Sequence, residues 1–161
     1  MPFILLFSGV LRMFEQYQQV TTELHKAIDE FNALILNDTK ELDQYKLTAQ
    51  QEIIMLQIIQ RDEITSNELA NSFNISKSAV SQVISKLESR QLIYRQPNPA
   101  NKREFFLKLT AEGEQYKKVL ESIDMRLINS YYSKVDLDEL QQVVRTMKKL
   151  VDIAKTVNQR S

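Results

Sequence analysis

Cysteine and tryptophan are missing from the 161 residues, glycine occurs twice, proline three times and histidine once. Without cysteine there is no disulfide, no thiolate metal site and no thiol redox switch. Gly9 and Gly113 cannot together build a glycine-rich phosphate loop. His25 alone cannot supply the converging imidazoles of a multi-His metal site, and no Ser-His-Asp relay is suggested. Nucleotide-binding folds and zinc fingers drop out, and the chain is expected to be no enzyme and to need no metal or cofactor. Long apolar runs are scarce too. FILLFSGVL at 3–11 is too short to span a bilayer, has no Lys or Arg before it and no clear small-residue cleavage site after it. Residues 1–12 are therefore expected to be an apolar extension that packs on a hydrophobic surface or precedes a natural start at Met13. A cytoplasmic protein without membrane contact is the expectation.

What is present is enough chain for a real core, and a balance of 21 Lys+Arg against 21 Asp+Glu that conceals an uneven layout. Between residues 76 and 110 seven basic residues face only two acids, Glu88 and Glu104, so that segment carries +5 and the remainder −5. Such a division suits a protein offering one basic surface to a polyanion while the rest stays repelled by it.

Apolar residues at steps of three and four, among them Tyr17, Val20, Leu24, Ala27, Phe31 and Leu34, predict a long amphipathic helix from Met13 to about Asn37. Residues 37–46 read as a polar loop. Thr48 with Gln51 has capping-box spacing ahead of a helix at about 49–60, and Thr65 with Glu68 repeats it ahead of the short helix SNELANSF, after a connector at 61–64. Leu69, Ala70, Phe73, Asn74, Ile75, Val80 and Val83 then have the layout of a helix-turn-helix, with Asn74 at a left-handed turn position. Ser76 is placed to cap a helix running to about Arg90, whose buried stripe would be Val80, Val83, Ile84 and Leu87.

The opposite face of that helix carries Ser78, Ser81, Gln82, Ser85 and Ser89, flanked by Lys77 and Lys86. Short hydroxyls let a helix approach base edges, Gln82 can both donate and accept on a base, and the lysines fall where phosphates would run. A solvated serine-rich face is the plain alternative. LIYRQ (92–96) and REFFLKLT (103–110) read as strands around the turn PNPANK, a hairpin wing whose Arg95, Lys102 and Arg103 would lie beside the recognition helix. The plain alternative here is a hairpin that only covers the core edge. Thr110 caps a helix over about 111–132, and Asp136 with Glu139 opens the last one, with Leu137, Leu140, Val144, Met147, Val151 and Ala154 in helical spacing. The terminal helices present more apolar surface than a small winged domain needs, which a second copy of the chain would cover.

This order of elements resembles the MarR family of dimeric winged-helix regulators over residues 13–157, through LTAQQEIIML, ELANSFNISKSAVSQVISKLESRQLIYR and the wing ending in LKLTAEG. The resemblance implies a mainly α fold with a small β-hairpin wing: a winged helix-turn-helix at 48–110 between dimerisation regions at 13–47 and 111–161. It implies a homodimer on a pseudo-palindromic double-stranded operator, usually a repressor, released by small phenolic or lipophilic molecules. Carried over by position, the groove residues are Ser76, Lys77, Ser78, Ser81 and Gln82, and the backbone or wing contacts include Arg95 and Arg103. Ser85, Lys86 and Lys102 join them from the face and charge argument above. Two departures stand out: Asn98 and Asn101 replace the wing's usual acids, and Gln91 replaces the usual glycine before Leu92. Loss of the acids is expected to loosen the wing and to free Arg95 and Arg103 for phosphate. His25, with Tyr17, Phe31, Met55 or Tyr116, could line an effector cleft, although an ordinary helix and core environment explains these residues as well. Rival readings are a winged-helix protein-interaction module without DNA binding and a small-molecule hydrolase or transferase, for which the chain lacks a converging acid, base and nucleophile.

Overall fold

A computed structural model of the chain describes residues 3–158, with side chains over residues 12–157. The elements follow the order α1 (Phe3–Thr39), a 3-10 turn (Lys40–Tyr45), α2 (Ala49–Gln60), α3 (Ser66–Phe73), α4 (Lys77–Ser89), β1 (Ile93–Pro97), β2 (Phe105–Leu109), α5 (Ala111–Ser130), a second 3-10 turn (Tyr132–Lys134) and α6 (Leu137–Asn158). The fold is mainly helical with one antiparallel hairpin. Two units are distinct, one ending at Lys40 and one running from Glu41 onward.

The first unit is essentially α1, which starts at Phe3 rather than at the expected Met13. Nothing in 3–12 stops a helix: one glycine costs about 1 kcal/mol, and there is no capping residue before Met13 to favour a start there. How the side chains of 1–11 pack lies outside the described residues. Along α1, Phe14, Tyr17, Val20 and Leu34 are exposed.

In the second unit the expected loop at 37–46 is replaced by the end of α1 and the turn at 40–45. Both capping boxes form as the spacing predicts. Thr48 accepts from the Gln51 N–H while the Gln51 side chain accepts from the Thr48 N–H, and Thr65 pairs with Glu68 in the same way. Thr65 also bridges Phe106 of β2, and the Leu107 N–H donates to Ile64 O, so the connector at 61–64 ends as a short third strand edge. β1 and β2 pair in the register Ile93↔Leu109, Arg95↔Leu107 and Pro97↔Phe105.

One core joins these elements: Ile54, Met55 and Ile58 from α2, Leu69 and Ala70 from α3, Val80, Val83, Ile84 and Leu87 from α4, Leu92, Ile93 and Leu107 from the hairpin, and Tyr116 from α5. Each large apolar side chain removed from water contributes roughly 1.5–3 kcal/mol, and α4 commits four of them, which fixes which of its faces is left outside. Met55 and Tyr116 are fully buried here, so neither lines an open effector cleft. Beyond the core, Val143, Val144, Met147, Leu150 and Val151 of α6 remain about half exposed, and no helix among the described residues is long and apolar enough to cross a membrane.

Candidate nucleic-acid interface

α4 is held at both ends by backbone chemistry. Asn74 takes the left-handed conformation (φ 49°) that ends α3, with the Ile75 N–H on Ala70 O at 3.1 Å, as the turn assignment required. Two residues on, Ser76 Oγ accepts the Ala79 N–H at 3.2 Å and lies 3.0 Å from Ser78 Oγ. At the far end the Gln91 N–H donates to Glu88 O and the Leu92 N–H to Leu87 O, a six-residue closure that places Gln91 at φ 59°. Gln91 thus holds the left-handed position a glycine would occupy without strain. Arg90 Nη1 donates to Tyr45 O and Lys46 O at 2.5 and 2.7 Å, tying this end to the loop before α2. The sequence carried no sign of that clamp.

Because Val80, Val83, Ile84 and Leu87 face the core, Lys77, Ser78, Ser81, Gln82, Ser85 and Lys86 are all exposed, together with Ser76 at the cap. The expected reading face is therefore assembled on one side of α4. On the wing, Lys102 and Arg103 are exposed, and neither they nor Lys77 and Lys86 pair with a carboxylate among the described residues.

Arg95 behaves differently from expectation. Its Nε and Nη2 donate to Glu88 Oε1 and Oε2 at 2.9 and 3.0 Å, so an acid on α4 holds it although the wing tip has none. Nor is the tip left without anchors. Asn98 Oδ1 accepts the Ala100 N–H at 2.9 Å and Asn101 Oδ1 the Arg103 N–H at 3.1 Å, with backbone bonds from Asn98 to Glu104, Asn101 to Asn98 and Glu104 to Asn101. An amide oxygen accepts a backbone N–H as a carboxylate would, so exchanging acid for asparagine preserves the turns and removes only the charge. Asn67 Nδ2 donates to Glu104 Oε1 at 2.8 Å, a link between α3 and the wing that sequence spacing did not indicate.

His25 and Tyr17 are exposed on α1. No group of three or more His, Cys, Asp or Glu able to hold a metal occurs among the described residues.

A recognition helix following a left-handed turn, joined to a basic hairpin, defines a winged helix-turn-helix protein. Residues 47–105 match the MarR family. Over 120 residues the chain is 25% identical to the uncharacterized HTH-type transcriptional regulator YhbI of Bacillus subtilis, covering 74% of this chain and 78% of that one. It is likewise 25% identical over 120 residues to the HTH-type transcriptional regulator BilQ of Clostridioides difficile, covering 74% and 81%. The fold is shared with AbsC, a MarR family transcriptional regulator from Streptomyces coelicolor, at TM-score 0.65 and 20% identity over 86% of this chain and 94% of that one. The likeness to the MarR family thus covers the winged-helix segment in sequence, and the chain shares its fold with MarR family structures.

Proposed function

We propose that the protein is a cytoplasmic transcriptional regulator that binds double-stranded DNA as a homodimer on a pseudo-palindromic site. The observation that carries this reading is the face of α4: small hydroxyls and Gln82 outward, lysines at its margins, and its opposite side locked into the core. In this reading Ser76, Lys77, Ser78, Ser81, Gln82 and Ser85 enter the major groove, where Gln82 contacts a base edge. Lys86, Lys102 and Arg103 neutralise phosphates. The exposed apolar residues of α1 and α6 support the homodimer, since a second copy would cover them. Repression, by occupying a promoter, and release by a small phenolic or lipophilic molecule complete the proposal by likeness to the family. A protein-interaction module would leave the Ser78, Ser81 and Gln82 face without a duplex.

Genomic fragments selected by binding, followed by titration at two salt concentrations, test the reading. Gln82→Ala should relax base preference at one position of each half-site by about 1–3 kcal/mol. Lys86→Ala should weaken all duplexes alike and reduce the salt slope by about 0.9 for each phosphate that is no longer neutralised. Failure of the parent protein to bind any fragment at low salt, or equal effects of both substitutions on selected and random DNA, would overturn it.

A further inference from the structure

Only two acids lie in the basic segment 76–110, and the structure uses both for the same task. Glu88, near the end of α4, takes Arg95 of β1 in a two-bond fork at 2.9 and 3.0 Å. Glu104, immediately before the returning strand β2, takes the Asn67 amide of α3 at 2.8 Å. One acid therefore links each strand of the wing to one helix of the helix-turn-helix. We infer that these links are struts that set the position of the wing relative to the recognition helix, and that Arg95 is a positioning residue, not a phosphate contact. The inference rests on the DNA-binding reading above and changes the role that position alone assigned to Arg95.

Geometry and charge support it together. A planar guanidinium bound through two parallel N–H groups is fixed in direction as well as distance. Arg95 is also the cross-strand partner of Leu107, whose side chain is buried and whose N–H is bonded to Ile64 O, so the strut ends on a fixed part of the hairpin. Its charge is already matched by Glu88, and a phosphate brought to the same guanidinium would meet that carboxylate's repulsion. With the two side chains still 36% and 30% exposed, the pair adds little to folding stability. What it restricts is the wing's orientation. A wing held at a set distance helps a duplex whose groove and phosphates match that distance, whereas random binding, dominated by charge, tolerates a loose one.

The test compares the full-length parent with Arg95→Gln, Glu88→Gln and the charge-exchanged Glu88→Arg/Arg95→Glu. Each is titrated on a selected and a random duplex at two salt concentrations, alongside hydrogen exchange of the free protein. Both single variants should lose about five- to thirty-fold of their preference for the selected duplex. Arg95→Gln should leave random binding within about twofold and the salt slope unchanged. Exchange at the bonded amides of Asn98, Asn101 and Glu104 should quicken in both single variants without a drop in thermal midpoint, and the charge-exchanged protein should regain preference and slow exchange. Three results would overturn the inference: Arg95→Gln weakening both duplexes equally with a shallower salt slope, Glu88→Gln tightening the selected duplex, or wing exchange unchanged in both single variants. Should the parent bind no duplex, the DNA-binding reading falls, and the exchange arm still decides whether the struts hold the wing.

Discussion

Gly113 stands in the first turn of α5, where the helix passes against the end of the recognition-helix segment. A Cβ there would lie 2.0 Å from Leu92 O and 3.2 Å from Leu109 Cβ, and Leu92 O is a backbone atom already accepting the Thr110 N–H. Gly113→Ala must therefore displace α5 or β1, and we expect a loss of about 1–3 kcal/mol by urea unfolding; an unchanged midpoint would show that the close approach is relaxed in solution. Gln91 presents the reverse case. It holds φ 59°, and Gln91→Gly should relieve left-handed strain by more than it costs in unfolded-chain entropy, a net gain of up to about 1 kcal/mol in the same assay. The family resemblance marked Gln91 as standing at a usual glycine position. It did not show why Gly113 must lack a side chain, because that depends on a neighbour twenty-one residues away.

At the scale of elements, the helix starts at Thr48, Thr65, Ser76 and Thr110 were legible because an N-cap is a local pairing between a hydroxyl and the next turn's N–H groups. The third strand edge at Ile64 and Thr65, and the two acids that link wing to helices, were not. Their partners come from residues far away along the chain, and no periodicity encodes them. Tyr116 shows how such distant packing sets chemistry. It is buried against Tyr45, ring centroids 4.8 Å apart in an edge-to-face contact, and burial together with Glu52 and Tyr45 pushes its phenol up to about 12 from an ordinary 10.0. The unfolded chain releases that proton near pH 10 while the folded chain keeps it, so the fold binds more protons between about pH 10 and 12 and stability falls across that window. Below pH 10 the contribution is fully present. Tyr116→Phe should remove on the order of 1–2 kcal/mol of this alkaline loss, read from unfolding midpoints at pH 9 and 11. Parallel pH profiles for parent and variant would refute the assignment.

For the whole molecule, the apolar excess of the terminal helices was plain from spacing alone, and the structure leaves Tyr17 and Val20 of α1 and Val143, Val144 and Met147 of α6 uncovered. In our proposal a second chain covers them, which one sequence suggests only through the surplus. In the homodimer we propose, Val144→Glu places a charge in an apolar interface and should weaken self-association more than tenfold, about 1.4 kcal/mol or more. Sedimentation at micromolar concentration measures it: a dimeric parent and a largely monomeric, less stable variant are expected. A monomeric parent would refute the proposal.

The exposed wing tip has another consequence. Lys102 and Arg103 stand side by side on a short turn closed by asparagine side chains, so trypsin finds two adjacent cleavage sites on a protruding loop. Digestion of the free protein should begin there, and a duplex lying over the tip should slow that first cut while leaving sites on α6 as accessible as before. A timed digest would then report occupancy of the wing from fragment sizes alone, without a label on either partner.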